Sequence, residues 1–189
     1  AIENIIMDIR PDIVINCIGI LIEQSDLYPE MAEELNAKFP HNLRITCGKS
    51  NSKLIHISTD CVFSGDKGYY HENSPKDSET NYGKTKARGE VLSKEHLTIR
   101  TSVIGPGLKK VGTELFDWFM GQEREINGYN DSIWSGVSTF YLARMIEFSI
   151  ENNINEIYNF SSTNSISKYD LLRIINKTFA KNIMIKKVK

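Results

Sequence analysis

Lys53-Leu54-Ile55-His56-Ile57-Ser58-Thr59-Asp60 carries an apolar, β-branched run into two hydroxyls and an acid, and Asn81-Tyr82-Gly83-Lys84-Thr85-Lys86 opens a helical stretch farther on. The first segment reads as a strand from Lys53 to Ser58, the second as the start of a helix from Asn81 to about Lys94. Between them, Ser64-Gly65-Asp66-Lys67-Gly68 has the composition of a turn, and the chain up to Thr80 reads as an ordered loop. Upstream, Asp12 to Cys17 is a strand. Pro29 to about Lys49 spaces Met31, Leu35, Phe39, Leu43 and Cys47 four apart, which predicts a helix burying that face, with a kink at Pro40. Downstream, His96 to Val103 supplies a third strand. This βαβαβ order predicts an α/β fold with a parallel sheet and helical crossovers. Thr113 to Met120, Thr139 to Ile150 and Lys168 to Ala180 read as further helices, and Glu156 to Phe160 as a short strand.

The composition, 40% hydrophobic and 25% charged over 189 residues, is that of a globular chain with one good core. A formal net charge of -1 gives no reason to expect nucleic acid or an anionic membrane as partner. The apolar runs around Ile13 to Ile22 are shorter than the roughly 20 residues a spanning helix needs. No signal-peptide pattern opens the chain, so a cytoplasmic location is expected. Cys17, Cys47 and Cys61 are widely separated and the four histidines scattered, which favours reduced thiols and supports no metal site. Glu23, Glu30, Glu33 and Glu34 are more simply favourable to a helix dipole than cation ligands.

The chemistry-bearing residues are Ser58-Thr59-Asp60 at a strand's carboxyl end, where parallel α/β sheets bind ligands, and Tyr82 with Lys86 on the following helix. Four apart, the phenol and the ammonium share one face. The cation favours phenolate, which brings a phenol of pKa about 10 closer to use as a proton relay near neutrality. A hydroxyl from Thr59 or Ser58 could hold the oxygen that exchanges the proton. Taken singly, a Tyr-x-x-x-Lys pair is a common solvated contact and Ser-Thr-Asp a common cap. Their joint occurrence, each at the proper end of its element, favours a site.

With these residues the chain resembles the extended short-chain dehydrogenase/reductases, and within them the dTDP-4-dehydrorhamnose reductase (RmlD-like) group. The resemblance rests on Pro11 to Cys17, Asn36, Ile57 to Gly65, Tyr70, Glu72, Pro75, Asn81 to Glu90 and Ile99-Arg100-Thr101-Ser102. It implies a Rossmann-like doubly wound sheet and a catalytic triad of Thr59, Tyr82 and Lys86. It also implies a nicotinamide cofactor, NADPH or NADH, lined by Asn16, Cys17, Ile18, Gly19, Ser58, Tyr82 and Lys86, and a nucleotide-sugar substrate touched by Thr59, Asp60, Val103 and Trp134. The implied activity is reduction of a 4-keto group on a nucleotide-linked deoxy sugar for cell-surface polysaccharide. Only Asp60 follows Thr59 before Cys61, whereas a dehydratase of the superfamily would carry an acidic pair there. Epimerases and dehydratases of the superfamily, and a non-catalytic nucleotide-binding subunit, are the alternatives. A homodimer is compatible with the family.

Two departures qualify the resemblance. The family opens on a strand, a glycine-rich turn and a helix that receive the pyrophosphate, and here the first glycine is Gly19. Gly105-Pro106-Gly107 with Gly112 reads as a turn, because Lys110 stands where a third glycine would. The resemblance therefore implies a chain truncated at both ends. Residues 1–105 would form the second part of a dinucleotide-binding domain, and 106–189 the remaining sheet strand with part of a substrate-binding region, not separable as an independent domain. The second departure is Val103, where rhamnose-forming members carry an aromatic residue. Trp134 is as well read as a replacement sugar-facing aromatic as a packing residue.

Overall fold

The computed structural model describes residues 2–107 and 114–189. Thr113, Lys110 and Gly112 of the sequence reading lie outside them. The described chain divides into two compact units, 2–101 with 147–160, and 102–107 and 114–146 with 161–189.

In the first unit, α1 (Ile2–Ile9) leads into β1 (Ile13–Asn16), α2 (Ile22–Leu27) and a continuous helical stretch. That stretch runs as α3 (Pro29–Ala32), a π-helical run Glu33–Lys38 and α4 (Phe39–Ser50), ended by Asn51 in the left-handed conformation at φ 58. β2 (Lys53–Thr59), a 3₁₀ turn Asp60–Val62, α5 (Asn81–Arg88) and β3 (Leu97–Thr101) follow. β1, β2 and β3 pair in parallel, in register Ile15 to Ile55 and Ile57 to Ile99. A fourth parallel strand, Glu156–Asn159, pairs with β3. This is the α/β architecture expected, a parallel sheet flanked by helices. β3 is buried along its whole length, as a central parallel strand should be. Ile6, Leu43, Cys47, Leu54 and Val91 form the core between α1, α4 and the sheet.

The long helix and α5 depart from the expected course. The irregularity of the long helix is a π-helical run that ends at Lys38, two residues before Pro40. Pro40 has no N–H to give the Asn36 carbonyl, as a regular helix would require. The wider turn also shifts the helix phase, so Met31 is exposed while Ala32, Asn36, Ala37 and Pro40 turn inward. α5, too, ends at Arg88 instead of continuing to Lys94. Gly89 lies against the Asn36 carbonyl so closely that a Cβ there would sit 1.9 Å from the oxygen. The chain then turns Glu90 inward to Arg100, with Arg100 Nε to Glu90 Oε1 at 2.7 Å and Arg100 Nη2 to Glu90 Oε2 at 2.9 Å.

In the second unit, β4 (Val103–Ile104) pairs in parallel with a short strand at Val137–Ser138. The strand expected from His96 to Val103 is therefore broken at Ser102. α6 (Leu115–Met120) precedes β5 (Ile126–Tyr129) and β6 (Ile133–Trp134); the Val137–Ser138 strand is β7 and leads into α7 (Thr139–Glu151). Past the fourth sheet strand of the first unit, which is β8, come β9 (Ile166–Ser167), α8 (Lys168–Thr178) and β10 (Ile185–Val188). β10 runs parallel to β5. Phe119, Ile126, Leu171, Leu172, Ile175 and Ile183 form this unit's own core.

Candidate active site

Thr80 sets the start of α5. Its backbone is extended and its hydroxyl accepts the Gly83 N–H at 3.0 Å, an N-cap that places Tyr82 in the first turn and Lys86 one turn on. Gly83 is required there: a Cβ would lie 2.1 Å from Ser78 Oγ and 2.3 Å from the Cys61 carbonyl oxygen. The bare glycine lets α5 close onto the 3₁₀ turn Asp60–Val62, which follows Thr59 directly. Thr59 caps that turn, its Oγ1 accepting the Cys61 N–H at 3.1 Å and donating to Asp60 Oδ1 at 3.3 Å. Tyr82 is half-buried.

Lys86 is buried and its ammonium donates to the Ile57 carbonyl of β2 at 2.8 Å. Burial lowers its pKa to about 8, against an opposing pull from Glu90 and a smaller one from Cys17. Above it runs the segment leaving β1. A Cβ on Gly19 would lie 3.9 Å from Lys86 Nζ and 3.0 Å from Asn36 Oδ1. Asn36 clamps this segment at both backbone atoms of Ile20, accepting its N–H at 2.9 Å and donating to its carbonyl at 3.0 Å. The same carboxamide donates to Thr85 Oγ1 at 3.3 Å, tying the segment to α5. Cys17 is exposed, and desolvation raises its thiol pKa against a lowering from Lys86.

Thr59, Asp60, Tyr82, Lys86 and Asn16 to Gly19 thus gather at the carboxyl ends of β1 and β2. Ser58 belongs to the same strand end, but its hydroxyl turns to Glu90 Oε1 at 3.2 Å, into the network with Arg100 and Lys76. Successive strand residues face opposite sides, so Ser58 and Thr59 cannot serve one oxygen together. Val103 and Trp134 lie in the second unit. There Val103 pairs with Val137. The Trp134 indole N–H donates to Ser102 Oγ at 2.8 Å, and Gly136 packs so tightly on the ring that a Cβ would lie 2.3 Å from it.

Asn36, His56, Glu90 and Arg100 are site-building residues to which the sequence assigned no role; the first two and Arg100 are polar side chains inside otherwise apolar periodic segments, whereas Glu90 carries no such signal. His56 is fully buried, and desolvation first, then Lys86 and His41, lower its pKa to about 3. Because the folded value lies below the unfolded value of about 6.5, the unfolded chain binds the extra proton between the two. Stability is full above pH 6.5 and is lost as pH falls toward 3, on the order of 5 kcal/mol by the end. In urea melts across that range, His56→Gln is expected to flatten the decline relative to the parent; parallel curves would exclude a buried neutral imidazole.

Among the described residues no group of three or more His, Cys, Asp or Glu could hold a metal ion, and no helix is long and apolar enough to cross a membrane.

A family model described as the RmlD substrate binding domain matches residues 1–189. A dTDP-4-dehydrorhamnose reductase of Streptomyces griseus is 33% identical over 92 residues, 48% of this chain and 30% of the relative. The spore coat polysaccharide biosynthesis protein SpsK of Bacillus subtilis is 29% identical over 177 residues, 88% of this chain and 60% of its own. The alignments thus span less than two thirds of these relatives' lengths. The crystal structure of a dTDP-4-dehydrorhamnose reductase from Bacillus anthracis in complex with NADP superposes with TM-score 0.88 at 26% identity, covering 100% of this chain and 69% of that one.

Proposed function

Because the chain belongs to the RmlD substrate binding domain family, we propose that it carries the catalytic residues of an NAD(P)H-dependent reductase acting on the 4-keto group of a nucleotide-linked deoxy sugar. The observation that carries this reading is Tyr82 and Lys86 one turn apart on α5, with Lys86 Nζ seated on the β2 backbone at Ile57, two residues before Thr59. NADPH or NADH fits the residues present. The side-chain-free face of Gly19 opposite a buried ammonium offers backbone polar atoms and a cation to a ribose and its nicotinamide. Bound there, the dinucleotide supplies the hydride.

Tyr82 gives its phenolic proton to the carbonyl oxygen as that oxygen becomes an alkoxide. The Lys86 charge favours the phenolate that the transfer leaves behind, and its ammonium would hold the ribose hydroxyls. Thr59 exchanges its long contact to Asp60 for a hydrogen bond to the same substrate oxygen. Asn16 to Gly19 line the cofactor, Asp60 borders the substrate, and Val103 and Trp134 remain substrate-contact candidates of the second unit.

The test is hydride transfer: the purified protein with a dTDP-linked 4-keto-6-deoxy sugar should oxidise NADPH or NADH, and omission of the sugar should stop it. Dinucleotide uptake with no oxidation by any keto-sugar nucleotide would overturn the reductase and leave a binding subunit. The pH profile gives a further prediction. Lys86 must be charged to act on the phenol, so kcat/KM should fall as pH rises through about 8. Lys86→Met should be slow and lack that limb; an alkaline limb unchanged in the variant would assign it to another group.

A further inference from the structure

The neutral imidazole of His56 is buried beneath the segment that leaves β1, and its bonding can be deduced without seeing a hydrogen. The Ile18 N–H can only donate, so the Asn16 atom that meets it at 3.0 Å is the carboxamide oxygen. The other Asn16 atom is then the NH₂, and it donates to His56 Nδ1 at 3.0 Å. Nδ1 is therefore an acceptor and the imidazole proton sits on Nε2, which is buried and has no hydrogen-bond partner among the described residues. Protonating Nδ1 would set donor against donor, next to the Lys86 ammonium.

A histidine that reaches none of the reacting atoms is thus retained in the middle of β2, with one of its two nitrogens unsatisfied. Such a group costs stability, and the Asn16 bond is what it gains. Without it the Asn16 NH₂ has no acceptor, and nothing decides which end of the carboxamide faces Ile18. We infer that His56 is a positioning residue: acting through Asn16, it fixes the Cys17 to Gly19 turn with its backbone presented over Lys86, in the shape a dinucleotide needs. The inference rests on the cofactor reading above for its purpose, and on the Asn16–His56 pair for its geometry.

Two variants separate an acceptor from mere bulk. His56→Gln can still accept from Asn16; His56→Leu fills the space and cannot. Nitrogen-15 NMR of the imidazoles in the 189-residue protein should show His56 as the Nε2–H tautomer at neutral pH. In His56→Leu the Ile18 amide should exchange with solvent about tenfold faster relative to Ile55, and NADPH should bind about tenfold more weakly. His56→Gln should restore both to near parental values. An Nδ1–H tautomer, or a Gln variant no better than Leu, overturns the inference. Should His56→Leu fail to fold, the tautomer and the Gln variant still decide. A parent protein that binds no NADPH would sink the cofactor reading alone, because the tautomer and the Ile18 amide report on the positioning independently.

Discussion

Tyr82→Phe is expected to lower turnover of a keto-sugar nucleotide by about 10²- to 10⁴-fold, the usual worth of a positioned proton donor. The substitution removes one oxygen and keeps the ring. Tyr82 is half-buried in the first turn of α5, and that turn is held by the Thr80 cap and by the close approach of Gly83 to the Cys61 carbonyl. The thermal midpoint and the dissociation constant for NADPH should therefore stay near those of the parent, while kcat collapses. Equal activity in Tyr82→Phe removes the mechanism. Lost activity together with lost folding would mean the hydroxyl is structural, and the two outcomes are told apart by a melting curve.

The largest stability effect is expected at Glu90. Its carboxylate is completely buried and receives Ser58, Arg100 through two nitrogens, and Lys76 at 3.1 Å. Arg100 is itself buried, lies over the Phe63 ring at 5.1 Å and donates to the Glu72 carbonyl at 2.9 Å. Removing one member of a buried pair strands the other charge in a poor solvent, at a cost of about 3–5 kcal/mol. Glu90→Ala should thus move the urea midpoint sharply down with little change in slope. Lys76 is one-third exposed and can turn to water; Arg100 cannot. Pairing Glu90→Leu with Arg100→Met should recover much of the loss, because the stranded cation goes with its partner. A loss below about 1 kcal/mol in Glu90→Ala would show that water reaches Arg100.

The sheet was legible because β-branched runs such as Lys53 to Ser58 and Leu97 to Thr101 are short and bounded by polar turns. α5 was legible at its start, where Thr80 and Gly83 act locally, and illegible at its end, where Gly89 answers to the Asn36 carbonyl of a distant helix. α1 went unread because acids interrupt its apolar residues, although Ile6 turns inward. The parallel pair of β5 with β10 joins segments too far apart for any local pattern to reveal. At the site, Tyr82 and Lys86 announce themselves by helical spacing. That Ser58 faces Glu90 while Thr59 faces the turn follows from strand alternation. The double clamp of Asn36 on Ile20 does not, because it depends on the phase of a helix whose irregular turn leaves no mark in the spacing of its residues.

A π-helical run winds more residues into its turn than the α-helix on either side, so it shifts the phase of the whole stretch. Along 29–50 that shift sets which residues face the sheet and delivers the Asn36 carboxamide to Ile20. A one-codon deletion within 33–38 would rotate everything upstream by about a hundred degrees. It would carry Met31 toward the interior and detach the helix from the segment that crosses Lys86. This stretch should therefore accept substitutions on its exposed side readily while tolerating no change in length.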